Sequence, residues 1–169
     1  MWKKIVFFFV LSVVIIYPIN PFIHECGHII ATLLVGGEVM ELSMGFPPYV
    51  ISNIAHVSPV GNYIISVSGS LLPCLFGLIP YDRNYITKAI RLLFCVCGMT
   101  GCVVSIAIAV LYRFGIYTSN SDDIVQAMKI HPDPFVILLV FGIPLLFLAR
   151  YVIRENPIKE CADIISASI

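Results

Sequence analysis

Apolar residues in this chain run in long blocks separated by short polar stretches, a pattern that predicts helices rather than a half-buried sheet. The first block, Ile5 to Tyr17, follows Lys3-Lys4 and is somewhat short for a bilayer span of about 20 residues. Asn20-Pro21 then reads as a helix start, an Asn cap with proline in the first turn. It predicts a second helix from about Pro21 to Val35, ended by Gly36-Gly37. From Glu38 to about Tyr63 the texture changes. Val39 to Ser43 and Tyr49 to Ser52 read as short strands, with Gly45 and Pro47-Pro48 between them. They predict a hairpin that lies on the surface or partly embedded, since unpaired strand edges survive at membrane depth only against protein or a wet cavity. Three further helices are expected. One runs from about Ile64 to Ile79 and carries the small residues Ser66, Ser68, Gly69 and Ser70, which let a neighbouring backbone approach. The others run from about Ala89 to Tyr112 and from about Pro134 to Tyr151. The expected fold class is mainly α: a polytopic membrane protein with about five hydrophobic helices and a short embedded or surface β-hairpin, forming one membrane-embedded domain over residues 1–169.

Composition sharpens this. The 169 residues are 59% hydrophobic and only 12% charged, where a soluble domain carries roughly 25% charged residues. A multi-pass integral membrane protein with the lipid bilayer as a partner is expected. Net charge is zero and no basic cluster is present, which argues against nucleic acid as a partner. The basic start and first apolar block have the look of a secretory leader. Tyr17-Pro18-Ile19-Asn20-Pro21 stands where a small-x-small cleavage site would be, so the block reads as a retained span. Cys26, Cys74, Cys95, Cys97, Cys102 and Cys161 match no disulfide framework and read mostly as small apolar fillers. If all five helices cross, Lys3, Lys4, Arg113 and Lys129 share one side, and Arg83, Lys88, Arg91, Arg150, Arg154 and Lys159 share the other. Six against four sets no orientation.

The candidate chemistry sits in the second helix. His24-Glu25-Cys26-Gly27-His28 reads H-E-x-x-H. Residues four apart share a helix face, so His24 and His28 can offer two imidazole nitrogens to one metal, with Glu25 on the flank as a base for water. Ionisable groups in an apolar helix are costly and mark function. A catalytic zinc takes three protein ligands and leaves a position for water. The third is sought in the polar island Tyr117 to Asp123, where Asp122, slightly preferred, or Asp123 could complete the site. Ser121-Asp122-Asp123 also reads as a helix N-terminus. His56 and His131 are weaker competitors, and Glu155 and Glu160 lie beyond the last span.

The run Phe22 to Ala31 with Gly36-Gly37 after it, followed by Val67-Ser68-Gly69-Ser70-Leu71-Leu72-Pro73, resembles the site-2 protease family of intramembrane zinc metallopeptidases. The resemblance covers roughly the first half of the chain. It implies Zn2+ held by His24 and His28 with a later aspartate, Glu25 as general base, and hydrolysis of peptide bonds in membrane-protein or peptide substrates. It also implies an embedded hairpin that presents the substrate strand. The family's Asn-x-x-Pro-x-x-Pro-Leu-Asp-Gly segment is absent, and Ser121-Asp122-Asp123 stands as a divergent substitute. The alternative expectation is a non-catalytic membrane protein that retains a metal-binding helix and acts as an escort or regulator.

Overall fold

Pro18 and Pro21 do not break the first apolar stretch. In the computed structural model, which describes residues 2–80, 84–159 and 163, α1 (Trp2–Val14) runs into α2 (Asn20–Leu34) through one π-helical turn, Ile15–Ile19. Pro18 has no N–H to donate, and the widened turn absorbs that loss without ending the helix. The sequence expectation of an Asn20 cap is therefore corrected. Asn20 has helical backbone angles, φ −63° and ψ −45°, and its N–H bonds the Ile15 carbonyl. Two expected helices become one rod. Among the described residues four helices are long and apolar enough to span a membrane: Ile5–Leu34, Pro59–Leu78, Tyr85–Arg113 and Pro134–Glu155. The protein is multi-pass by that measure.

Local chemistry fixes the ends. Gly36, at φ +84°, takes the left-handed position that stops α2, and the Gly37 N–H closes on the Thr32 carbonyl at 2.9 Å. The chain then forms an antiparallel hairpin, β1 (Glu38–Ser43) and β2 (Tyr49–Asn53), with a bulge between Val39 and Glu41. A side chain on Gly37 would collide with Thr32, so this glycine lets β2 lie close to α2. Thr32 Oγ1 and Ser52 Oγ share a hydrogen bond of 3.3 Å between the two elements. The hairpin folds back along the rod. Its tip residues Met44, Gly45, Phe46 and Pro48 share a cleft with Pro18, Ile19 and Phe22.

Helix α3 (Pro59–Leu78) opens on Ser58, whose Oγ accepts the Gly61 N–H at 3.1 Å, and starts well before the expected Ile64. Helix α4 (Tyr85–Arg113) opens on Asn84 and Thr87, which cap one another's backbone. Helix α6 (Pro134–Glu155) opens on Asp133. Between them lies α5 (Asp123–Ile130), an eight-residue helix that opens at the N-terminus read in Ser121-Asp122-Asp123.

The helices are packed antiparallel in chain order. Gly27 of α2 meets Ser68 and Gly69 of α3, and Gly61 meets Val35. Gly77 and Gly98 bring α3 onto α4 at Cys95 and Cys74, with Leu148 of α6 against both glycines. The main core contains Val67, Cys74, Cys102, Ala109, Phe141 and Leu148, and α5 plugs its upper part with Ile124, Ala127 and Met128. Cys74, Cys95 and Cys102 are fully buried among these residues, while Glu160, Cys161 and Arg83 lie outside the described residues. A second cluster, Ile15, Ile23 and Phe94 with Ile19, Leu72 and Phe76, fills the lower half.

Candidate metal centre

The π turn leaves α2 facing α3 with His24 and His28 on the contact side, one turn apart. What admits them is the absence of a side chain opposite. A Cβ on Gly69 would overlap the Nε2 atoms of both histidines, and a Cβ on Gly27 would meet the Ser68 carbonyl. Two glycines thus bring the backbones together, and the imidazoles fill the space beside the crossing.

The third group arrives from α5. Asp123 Oδ2 lies 3.1 Å from His24 Nε2 and 3.1 Å from His28 Nε2, and the two nitrogens are 3.1 Å from each other. These three donors are the group among the described residues that could hold a metal ion. Asp122, the slightly preferred candidate from sequence, is placed elsewhere. It caps α5: its Oδ1 accepts the N–H groups of Ile124 at 2.9 Å and Val125 at 3.3 Å, and its Oδ2 accepts the Tyr117 hydroxyl at 3.4 Å. A capping side chain turns back onto its own helix, whereas the next residue points outward from the first turn. The fold brings His24, His28 and Asp123 together and leaves Asp122 as their support. His56 is exposed beyond β2, and His131 stacks edge-on against Tyr63 at 6.5 Å. Glu155 ends α6 at the far end of the bundle.

The hydrogen-bond inventory shows why this trio suits a cation. His28 Nδ1 lies 2.8 Å from the Ile65 carbonyl, which can only accept, so Nδ1 carries the proton. In neutral His28 the Nε2 atom is then a bare lone pair. It faces the carboxylate oxygen of Asp123, a second bare acceptor, at 3.1 Å. Two acceptors at that separation repel unless a positive charge lies between them. Either a proton on Nε2 or a metal ion meets the need. Donors on one face of a tetrahedron around zinc lie about 3.3–3.4 Å apart for ligand distances of ~2.0–2.1 Å, so the observed triangle needs to open by only a few tenths of an ångström. The Ile65 carbonyl also accepts Ser68 Oγ–H at 2.6 Å. It is the outer acceptor that orients the His28 imidazole, as such acceptors do for histidines that bind metals.

Electrostatics agree. Burial opposes ionisation of Asp123, but when the Nε2 atoms of His24 and His28 carry protons their hydrogen bonds outweigh it and hold the carboxyl well below the usual range. The trio is sheltered without being sealed: side-chain exposure is 29% for His24, 11% for His28 and 41% for Asp123. Glu25 is half-buried, and its charge is felt at His28. Among the described residues its carboxylate makes no hydrogen bond or ion pair.

Two features were missed in the sequence. Asn20 lies one turn before His24, on the neighbouring part of the same face, and its Oδ1 is buried without a partner. Only the failed helix break reveals it, because as a cap it would have been satisfied. Pro73 has no N–H for the carbonyl of Gly69, so α3 presents a backbone acceptor with no i+4 donor at the residue that touches both histidines. That signal was present in Gly69-x-x-x-Pro73. In comparison with known proteins, the chain matches no family model, no curated protein and no solved structure.

Proposed function

We propose that this protein is a zinc-dependent endopeptidase of the membrane, acting on membrane-associated polypeptides, with His24, His28 and Asp123 as ligands and Glu25 as general base. The observation that carries the reading is the convergence of three lone-pair donors on one point, with the His28 tautomer fixed by Ile65. Two imidazoles and one carboxylate are a donor set of the catalytic kind, three protein ligands with room for a water or substrate. The likeness of Phe22–Ala31 to the site-2 protease active-site helix supports the same class.

Bound here, zinc supplies a Lewis acid and makes water acidic enough to act as a nucleophile near neutral pH. The chain's own residues do the rest. Glu25 accepts the proton of the attacking water and returns it to the leaving amine. Ile65 keeps His28 in the tautomer that offers Nε2, and Asp122 keeps the first turn of α5 in place under Asp123. The Asn20 Oδ1 and the Gly69 carbonyl offer two acceptors to the N–H groups of a peptide backbone lying beside the histidines. The hairpin brings an extended edge alongside α2, and an added strand there would hold a substrate in the extended form that hydrolysis needs.

The test uses the purified full chain loaded with zinc and a fluorescent unfolded protein such as labelled casein. Glu25→Gln is expected to keep its metal and lose about 10²–10⁴-fold in cleavage rate. Cleavage unchanged in this variant rejects Glu25 as the base. A wild type that holds zinc yet cleaves nothing would favour the escort or regulator reading.

A further inference from the structure

Where α3 and α6 end and α4 begins, four residues of α6 recur at i, i+3, i+4 and i+7 and so share one helix face: Phe147, Arg150, Tyr151 and Arg154. With Leu78, the last residue of α3, and Arg91 of α4, they line a cleft of about 250 Å³. Arg91 is its floor. The last carbonyls of a helix lack partners within it, and the Arg91 Nε–H donates to one of them, Gly77, at 3.1 Å. The Tyr151 ring supports the same guanidinium, with Cζ 3.6 Å from the ring centroid, and only 8% of Arg91 is exposed.

Arg150 and Arg154 form the rim. Both are exposed, and among the described residues neither makes a hydrogen bond or an ion pair. Like charges four apart on a helix repel one another. The dipole at the end of α6 favours a cation in its last turn, which accounts for Arg154 but not for Arg150 a turn earlier. Glu155 also lines the cleft, yet no ion pair joins it to either rim arginine. Three guanidinium groups around one carboxylate leave the cleft in positive excess.

Depth decides what kind of anion fits. Arg91 is six residues into α4 and Arg150 is five residues before the end of α6, ~9 Å and ~8 Å from those helix ends. That is the border between headgroups and acyl chains. One turn deeper the same face becomes apolar at Phe147, which is 59% exposed beside Leu78. A soluble anion gains nothing from this apolar lip. A lipid does.

We propose that this cleft binds an anionic phospholipid, its phosphate gripped by Arg150 and Arg154 above Arg91 and an acyl chain lying against Phe147 and Leu78. Guanidinium groups present paired N–H donors that match phosphate oxygens, and basic pockets between span ends suit such headgroups. A zwitterionic choline lipid brings its own cation into a cleft already in positive excess. The cleft shares no residue with the metal centre, and Leu78 is nine residues, ~14 Å along α3, from Gly69. The proposal therefore does not rest on the hydrolase reading.

Native mass spectrometry of the full-length chain in detergent, offered equal amounts of dioleoyl phosphatidate and dioleoyl phosphatidylcholine, tests it. The wild type is expected to prefer phosphatidate by about tenfold. Combining Arg150→Gln with Arg154→Gln is expected to bring the two lipids within about twofold. Combining Arg113→Gln with Lys129→Gln removes as many charges at the opposite end of the bundle and should leave the preference intact. Glu155→Gln removes the carboxylate of the cleft and is expected to raise the preference about threefold, a gain that a damaged fold does not imitate. Equal binding of the two lipids by the wild type, or a preference that survives loss of the rim arginines, overturns the proposal. So does a preference lost equally in the variant at the opposite end. Release of bound phosphatidate by millimolar inorganic phosphate would assign the cleft to free phosphate and overturn the lipid as its occupant.

Discussion

Helix α3 is crossed on two sides by the same packing device, with opposite chemical results. Toward α2, Gly27 and Gly69 remove the side chains at the contact, and two imidazoles occupy the space beside it. Toward α4, Gly77 and Gly98 do the same, and the space is filled by Leu148 and by buried thiols, with Cys74 Sγ 3.4 Å from Cys102 Sγ. The second crossing is closed packing: Cys74, Cys95 and Cys102 are fully buried. The first is only partly closed, with 29% of the His24 side chain exposed, and one turn before His24 the Asn20 Oδ1 is buried without a partner. Small residues in a membrane helix therefore announce close approach; what approaches decides whether the contact is structural or chemical.

The strongest way to break the comparison is to remove a donor. His28→Ala and Asp123→Ala are each expected to take zinc from about one ion per chain to background after gel filtration, measured by elemental analysis. Neither needs to unfold the bundle, and circular dichroism should be preserved. Zinc retained at full stoichiometry in both variants would remove the trio as the metal site.

Next in size comes the contrast between glycines. Gly69→Ala puts a methyl against both Nε2 atoms, so metal is expected to be lost with little change in helix content. Gly77→Ala meets Leu148 and the Cys95 backbone, with contacts of 2.9 and 3.0 Å. That overpacking should cost about 1–3 kcal/mol in stability yet leave the metal in place. If both variants lose metal equally, the two crossings are not independent.

A smaller effect separates the neighbouring aspartates. Asp122→Ala removes the cap of α5 and is expected to cost about 1 kcal/mol while retaining zinc at saturating metal. Full loss of zinc in this variant would move the ligand from Asp123 to Asp122. The smallest effect is expected at the closed crossing, where Cys102→Ala should keep metal content unchanged and lower stability by roughly 1 kcal/mol or less.

The sequence carried much of this. The hairpin strands, the long α4 and α6 and the H-E-x-x-H pair were legible because each rests on a local pattern: alternation, an apolar block, or a fixed spacing on one helix face. The start of α2 was not. Asn20-Pro21 has the chemistry of a helix start, but a π turn at Ile15–Ile19 satisfied Asn20's own N–H and let the rod continue. Nothing in hydropathy distinguishes the two outcomes. The choice between Asp122 and Asp123 was also out of reach, since one residue's offset in where α5 begins exchanges a cap for a ligand. Gly69 was read as a packing residue, which is true; that the packed atoms are the two Nε2 nitrogens is a property of register between helices.

The continuous rod has a consequence for the surroundings of the protein. Its hydrophobic length from Ile5 to Leu34 is 30 residues, ~45 Å, while α3 beside it has 20 residues, ~30 Å. A tilt of ~40°, the upper end of the usual range, would still leave the rod covering ~34 Å of bilayer normal. Hydrophobic mismatch is thus built into the molecule. Because the rod carries two of the three donors, lipid acyl-chain length becomes a variable that acts on the angle between α2 and α3. Thin and thick bilayers should give one sequence two different affinities for a metal ion at this trio.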